Sequence, residues 1–290
     1  MGVYAEGRAK KLREKILGPL HEILIAPFAR CLSGATRVIV IPHRELHGIP
    51  FAALWDAKRS SSLLERHAIV VSPSASAWQS CRSRSQRQTS RRALVVAAPD
   101  VEPKLQHAEA EARVIAELLG TTECHVGREA TVASFLERAP GTDIIHLVCH
   151  GEWDERAPLM SALRLTPTAD DRGALPMHAV RDVDLRGTRL AVLSACVTGR
   201  VVTNRGDETM GLSRAFLEAG VPSLLVTLWH VDDASSMRIM VEFYRHLRAG
   251  LRPADALAAA QRDLARGVAD ATGAFSSPYH WAPFVVLGDG

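Results

Sequence analysis

Short apolar runs that alternate with amphipathic stretches are the feature that most constrains the fold of this chain. Each run has the length of a buried strand, and the stretches between the runs carry apolar residues at helical spacing. This alternation predicts an α/β fold with a doubly wound, mostly parallel sheet of six strands flanked by helices. The six runs are 93–98, 123–126, 143–149, 189–195, 222–229 and 282–287.

Composition excludes several classes of protein. The chain has 290 residues, and its hydrophobic fraction of 47% is ordinary for a globular protein. A net charge of +3 is too small to favour nucleic acid, so we expect no direct binding to it. Five cysteines without close paired spacing predict neither a disulfide framework nor a metal site. Glycine-rich phosphate loops are absent from the sequence, which disfavours a nucleotide-binding domain. We expect no metal and no organic cofactor.

The hydropathy pattern sets the expected location. No apolar run has the length of a membrane span, and the first residues do not resemble a signal peptide. We therefore expect a cytoplasmic protein without a membrane partner, in a reducing environment that suits a free nucleophilic thiol.

Two of the apolar runs lead directly into residues that can perform nucleophilic catalysis. Cys196 follows the run Leu190–Ala195, and His150 follows the run Asp143–Cys149. Open α/β sheets bind their ligands in the crevice at the carboxyl ends of the strands. Neighbouring strands stand about 5 Å apart, so the imidazole would be able to reach the thiol. A histidine beside a cysteine favours the thiolate, which attacks carbonyl groups.

Each of these residues also has a plainer interpretation. A free cysteine is most often a small buried hydrophobe, and a single histidine at a strand end is most often structural. The matched placement of Cys196 and His150 favours a catalytic dyad. His146 is predicted to be structural, because four residues of strand span about 13 Å and one metal cannot bind both His146 and His150. Cys149 alternates to the other face and is predicted to be buried and inert.

Further site residues follow from the same sheet edge. The backbone amides of Gly151 and Cys196 are the predicted oxyanion donors, because a glycine lets a carbonyl oxygen approach closely. Four acids fall near this edge and are predicted to bind substrate: Asp207, Glu208, Asp232 and Asp233. Asp207 and Asp232 are equally suited to be helix N-caps, and the sequence leaves both roles open.

Several motifs occur in order along nearly the whole chain. They are His47-Gly48-Ile49-Pro50-Phe51, Pro73-Ser74-Ala75-Ser76-Ala77, His150-Gly151, Leu193-Ser194-Ala195-Cys196-x-Thr198-Gly199, the run 211–220, Leu228-Trp229-x-Val231-Asp232-Asp233 and Trp281-Ala282-Pro283-Phe284. Together they resemble the CHAT domain, which belongs to the caspase–gingipain–separase clan of cysteine peptidases.

The resemblance implies a function and a partner. It implies a caspase-like fold and a cysteine endopeptidase that cleaves a protein substrate with the dyad His150 and Cys196. It also implies that the loop after the strand 222–229 lines the substrate pocket, with Trp229 as its wall or floor. CHAT domains often follow repeat-protein sensors and act in regulated cleavage, including bacterial defence. This chain shows no internal repeat, so a sensor or activator would be a separate chain.

Two other functional classes remain open. A catalytically silent CHAT-fold interaction module is disfavoured because both His150 and Cys196 are retained. A non-proteolytic α/β hydrolase or nucleotide-binding domain is disfavoured because its phosphate-binding loops are missing.

The chain divides by composition near residue 92. Residues 1–92 are predicted to form a helical and strand region that packs on a catalytic core, 93–290. The segment 79–92 holds five arginines, four serines and no acid, and is predicted to be a mobile loop.

If the substrate pocket prefers a basic residue, this loop is the best substrate within the molecule. We therefore predict self-cleavage between about residues 82 and 92.

Overall fold

Strands and helices alternate along the chain in the computed structural model, which describes residues 10–85, 92–152, 160–194, 202–203, 209–210, 212–269 and 273–290. The strands are β1 (Arg37–Val40), β2 (Trp55–Asp56), β3 (Ser61–Ser62), β4 (Ala68–Val71), β5 (Ala93–Ala97), β6 (Cys124–Val126), β7 (Ile144–Val148), β8 (His150–Glu152), β9 (Ala162–Arg164), β10 (Ala174–Pro176), β11 (Leu190–Ser194), β12 (Val202–Thr203), β13 (Thr209–Met210), β14 (Ser223–Thr227) and β15 (Phe284–Gly288). The α-helices are α1 (Gly18–Leu24), α2 (Ala75–Ser85), α3 (Ala108–Leu119), α4 (Val132–Arg138), α5 (Met177–Arg181), α6 (Leu212–Ala219), α7 (Asp233–Arg248), α8 (Pro253–Ala265) and α9 (Pro278–Trp281). A π-helical turn, Arg13–Leu17, precedes α1.

Eight of these strands form one sheet in the order β1-β4-β15-β14-β11-β7-β5-β6. Every neighbouring pair is parallel except β14 and β15, which are antiparallel. The predicted α/β class with a mostly parallel sheet is therefore confirmed. The six strands predicted after Ala93 are all present, as β5, β6, β7, β11, β14 and β15.

The sheet is larger than the six strands predicted. The strands β1 and β4 come from the N-terminal region and extend the same sheet, because β4 pairs with β15 through Val70↔Val286 and Val71↔Leu287. All four residues of β4 are buried. A short run that is apolar on both faces is stable inside a parallel sheet with both faces covered. The N-terminal strands thus complete the sheet, and the division of the chain at residue 92 stays a prediction.

Helices cover both faces of the sheet and produce two apolar cores. Along β7 the side chains of Ile144 and Val148 lie in the core beneath α3, α7 and α8. Those of Ile145 and Leu147 lie in the opposite core, beneath α4, α5 and α6. Successive residues of a strand point to opposite faces, so a strand covered on both sides is mostly apolar along its whole length. This explains why the periodicity of the sequence located these strands.

The first half of the arginine- and serine-rich segment 79–92 differs from the prediction of a mobile loop. Residues 79–85 belong to helix α2, while residues 86–91 lie outside the described residues. The helix is anchored because Cys81 is buried and Arg84 Nη1 donates a 2.8 Å hydrogen bond to the Leu217 carbonyl. Arginine is also a good helix former, so a tertiary anchor is enough to order this segment.

One polar cluster lies within the core beneath α3 and α7. His146 of β7 has its Nε2 3.1 Å from Glu111 Oε1 and its Nδ1 3.2 Å from the Tyr244 hydroxyl. All three side chains are fully buried. Burial raises the pKa of Tyr244 well above its ordinary value, and the nearby Glu111 acts in the same direction. The contacts of His146 agree with the structural role that the sequence predicted for it.

Candidate active site

The two strands that precede the predicted dyad are direct neighbours in the sheet. Strands β7 and β11 pair in parallel from Leu190↔Ile144 to Ser194↔Val148. His150 follows Val148 by two residues, and Cys196 follows Ser194 by two residues. The register therefore gives both residues the same offset from the last paired position. Cys196 itself lies outside the described residues, so its distance from His150 stays a prediction.

His150 opens a small second sheet at the carboxyl end of β7. It is the first residue of β8, which pairs in antiparallel fashion with β9 through His150↔Arg164 and Gly151↔Leu163. This pairing turns the chain away from the main sheet directly after the buried Val148 and Cys149. The backbone of His150 is thereby paired with β9 at the edge of this small sheet.

The side chain of His150 is oriented by a backbone carbonyl. Its Nε2 lies 2.6 Å from the oxygen of Pro103, which precedes α3. A carbonyl oxygen only accepts hydrogen bonds, so Nε2 carries the ring proton and donates a hydrogen bond to the Pro103 oxygen. In the neutral ring, Nδ1 is then the basic nitrogen, the one that can take a proton from a thiol. Sequence reasoning missed Pro103, because the group that acts is a carbonyl that every residue carries.

The other cysteines are in different environments from the one predicted for a nucleophile. Cys149 is buried, as the sequence predicted, and Cys31 is exposed. Burial raises the pKa of the Cys81 thiol, and burial likewise raises that of Cys124, so both are poor sources of thiolate. In the part of the chain that the structure describes, the only cysteine at the carboxyl end of a strand of the main sheet is the buried Cys149.

Gly151 is half-buried and stands opposite Leu163 in the β8–β9 pair. Its amide and that of Cys196 stay predicted oxyanion donors, because Cys196 is not among the described residues. Asp207 and Glu208, predicted to bind substrate, fall outside the described part of the chain as well.

Asp232 is the N-cap of α7, one of the two roles that the sequence left open. Its Oδ1 accepts a 3.1 Å hydrogen bond from the Ser235 amide, and its Oδ2 contacts the Ser235 hydroxyl and His280 Nδ1. Burial opposes ionisation of Asp232, but the hydrogen bonds from Ser235 and His280 outweigh it and lower the pKa of the carboxyl. The side chain remains 46% exposed, so contact with a substrate is not blocked.

Asp233 and Trp229 are also engaged with the protein. Asp233 Oδ2 accepts a 2.5 Å hydrogen bond from the His107 amide. Trp229 donates from Nε1 to the Tyr279 carbonyl at 3.2 Å, which fixes the indole against α9. The half-buried ring of Trp229 still offers an apolar surface beside the strand ends.

A small crevice of about 50 Å³ lies at the carboxyl ends of β7, β11 and β14. It is lined by Leu105, Val148, Cys149, Ser194, Thr227, His230, Val231, Asp233 and Ser236. This is the position in which an open α/β sheet binds its ligand.

Among the described residues, no three acidic, histidine or cysteine side chains are grouped to hold a metal ion. No helix in the described ranges has the length and apolar character needed to cross a membrane.

Comparison with protein families gives a match that covers almost the whole chain. The family model of the CHAT domain matches residues 14–289. Tetratricopeptide repeat protein 28 of Mus musculus is 27% identical over an alignment that covers 97% of this chain and 13% of the relative. The Homo sapiens protein of the same name is 28% identical, over 94% of this chain and 13% of the relative. The chain thus spans about one eighth of the length of these relatives.

Solved structures of cysteine peptidases share the fold. The Arg-specific cysteine proteinase gingipain R superposes with a TM-score of 0.52 at 14% identity, over 77% of this chain and 54% of that chain. The complex of the pro- and mature domains of RgpB from Porphyromonas gingivalis gives 0.57 at 14% identity, over 93% and 68%. Separase from Saccharomyces cerevisiae, in its complex with securin, gives 0.55 at 12% identity, over 87% and 15%. These likenesses confirm the caspase-like architecture.

Proposed function

Because this chain belongs to the CHAT domain family, we propose that it is a cysteine endopeptidase that hydrolyses peptide bonds of a protein substrate with Cys196 and His150. The observation that carries the proposal is the register of β7 and β11. Val148 pairs with Ser194, so His150 and Cys196 follow the sheet at equal offsets from neighbouring strands. The hydrogen bond from His150 to Pro103 supports it, because that bond leaves Nδ1 as the base.

The proposed reaction uses groups of this chain alone. His150 Nδ1 takes the thiol proton, and the Cys196 thiolate attacks the substrate carbonyl carbon. The amides of Gly151 and Cys196 stabilise the resulting oxyanion. The protonated imidazole then donates its proton to the leaving amine, which departs as the peptide bond breaks. Water, deprotonated by the same imidazole, hydrolyses the thioester and restores the free thiol.

The setting of the activity is part of the proposal. The curated relatives are named for tetratricopeptide repeats and are much longer than this chain. We propose that a separate, repeat-containing sensor or activator chain controls cleavage in the cytoplasm. The proteolysis would then be regulated and would serve a role such as bacterial defence. Separase, which shares the fold, forms a complex with securin, and this supports a protein partner for the present chain.

The experiment that tests the proposal compares protein N-termini in cells that express wild type or Cys196→Ala. New N-termini that depend on Cys196 are expected, because a peptide bond cut by the enzyme exposes an α-amino group. Identical sets of N-termini under activating conditions, together with failure of a peptide-based thiol probe to label Cys196, would instead assign the chain to the non-catalytic interaction modules.

A panel of peptides that differ only in the residue before the cut is expected to show a preference for arginine or lysine. Of the four acids predicted to bind substrate, Asp207, Glu208 and Asp232 would pair with such a side chain through charge-assisted hydrogen bonds. The fourth, Asp233, already accepts a hydrogen bond from the His107 amide. The Arg-specific gingipain shares the fold and supports the choice of test. The measurement is kcat/KM for each peptide, and a preference for aspartate or glutamate would contradict the prediction.

The active enzyme is expected to cut itself between about residues 82 and 92. Because residues up to Ser85 are helical, bonds before Gln86 could be cut only after local unfolding of α2, so we place the cut at 86–92. The N-terminal fragment should stay bound, since β4 pairs with β15. Intact-mass measurement after activation should show this fragment in wild type but not in Cys196→Ala. Uncut wild-type enzyme that is turning over an added substrate would contradict it.

A further inference from the structure

The segment before α3 presents the Pro103 carbonyl to His150, and its own anchors decide where that carbonyl lies. Inside the segment, the Leu105 amide donates to the Pro99 carbonyl at 3.1 Å. The anchor to another element is the His107 amide, which donates to Asp233 Oδ2 at 2.5 Å. His107 is the N-cap residue of α3, and Asp233 is the first residue of α7. One side chain therefore ties the start of α7 to the segment that orients the histidine.

The position of the Asp233 carboxylate suits this anchoring. It lies at the beginning of two helices, α3 and α7, and helix N-termini favour negative charge. The first turn of α7 is already capped by Asp232, whose Oδ1 accepts from the Ser235 amide. The Asp233 carboxylate is thus not needed as the cap of its own helix, and it is directed at the neighbouring one.

The same first turn of α7 also holds the strand that leads to Cys196. The hydroxyl of Ser236 lies 3.3 Å from the hydroxyl of Ser194, the last residue of β11. Two residues further along the chain is Cys196. The first turn of α7, residues 232–236, is therefore hydrogen-bonded to two segments. Asp233 binds the segment that orients His150, and Ser236 binds the strand that leads to Cys196.

We infer that Asp233 is a positioning residue, which holds the Pro103 carbonyl against His150 and so fixes the orientation and tautomer of the base. This inference rests on the proposed peptidase function, and it gives Asp233 a role other than binding substrate. The loop that joins β14 to α7 contains Trp229, so a substrate or activator that moves this loop also moves the anchor of the histidine. Binding in the pocket and the orientation of His150 are therefore coupled through the Asp233 carboxylate.

The kinetic test compares Asp233→Ala and Asp233→Asn with the wild type. Alanine removes the acceptor for the His107 amide, whereas asparagine keeps a carbonyl oxygen in nearly the same place. We expect Asp233→Ala to lower kcat by about 10- to 100-fold with little change in KM, since displacement of a catalytic group by about 1 Å has effects of this size. Asp233→Asn should recover most of kcat. The matched control is Glu109→Ala, an exposed acid in the first turn of α3 that pairs with Arg113, and it should retain wild-type kcat.

A second readout does not depend on activity. The imidazole ¹⁵N shifts of His150, identified by their loss in His150→Gln, report which ring nitrogen carries the proton. In a Cys196→Ala background, we expect the Nε2-protonated tautomer, and we expect Asp233→Ala to reduce its share. This measurement separates failure of the inference from failure of the proposed function.

Three results would overturn the inference. One is an unchanged kcat and tautomer in folded Asp233→Ala. Another is a loss of kcat/KM in Asp233→Ala that comes from a higher KM and varies with the substrate residue before the cut. That result would make Asp233 a substrate-binding residue. The third is a loss in Asp233→Asn as large as that in Asp233→Ala, since the hydrogen-bond acceptor is retained there.

Discussion

Alanine at Cys196 or at His150 is expected to reduce kcat/KM by about 10³-fold or more, because a nucleophile and its base act as one unit. For the same reason, the double variant should be hardly worse than either single variant. Without the thiol there is no group to form the thioester, and without Nδ1 there is no acceptor for its proton. The measurement is hydrolysis of a fluorogenic peptide under activating conditions, with circular dichroism to show that each variant is folded.

Two cysteine variants serve as controls for the dyad. Cys31→Ala removes an exposed thiol in the N-terminal region, and Cys149→Ala removes the buried thiol next to His150. Both should keep nearly full activity, and a thiol-reactive peptide probe should still label Cys31→Ala with one equivalent. Near-normal turnover by folded Cys196→Ala or His150→Ala would show that the dyad is assigned wrongly.

Much of the fold could be predicted because its strands are buried on both faces. Most residues of such strands are apolar, so the runs that became β5, β7, β11 and β14 were visible without knowledge of their partners. Parallel neighbours also have their carboxyl ends at one edge, so the sequence predicts that His150 and Cys196 lie close together. The pairing of β7 with β11 confirms that their strands are neighbours, while the distance between the two side chains stays a prediction.

The features that were missed depend on contacts distant in sequence. Val70 pairs with Val286, and no local pattern near either residue indicates that the N-terminal strands enlarge the sheet. Helix α2 has a composition typical of loops, and it is ordered by the burial of Cys81 and the bond from Arg84 to Leu217. The acceptor for His150 is a backbone oxygen 47 residues away, which no side-chain motif encodes.

Leucine at position 146 is expected to lower the free energy of unfolding by about 1–3 kcal/mol, the usual cost of leaving a buried polar group without its hydrogen-bond partner. His146 contacts both Glu111 and Tyr244, and all three side chains are fully buried. Glu111 Oε2 already lacks a hydrogen-bond partner within the described ranges. Removal of His146 would therefore leave the whole carboxyl group without a partner in an apolar core. Equilibrium urea unfolding measures the change.

A variant that replaces the whole cluster separates the cost of an orphaned carboxyl from the cost of lost packing. The triple variant Glu111→Met, His146→Leu and Tyr244→Phe removes every polar atom of the cluster while keeping its volume. Since apolar replacement of a complete buried polar group is often neutral or stabilising, the triple variant should recover most of the stability lost in His146→Leu. A loss below about 1 kcal/mol in His146→Leu, the size of one ordinary hydrogen bond, would contradict the prediction. A triple variant no more stable than the single variant would show that shape, and not the buried carboxyl, holds α3 and α7 against β7.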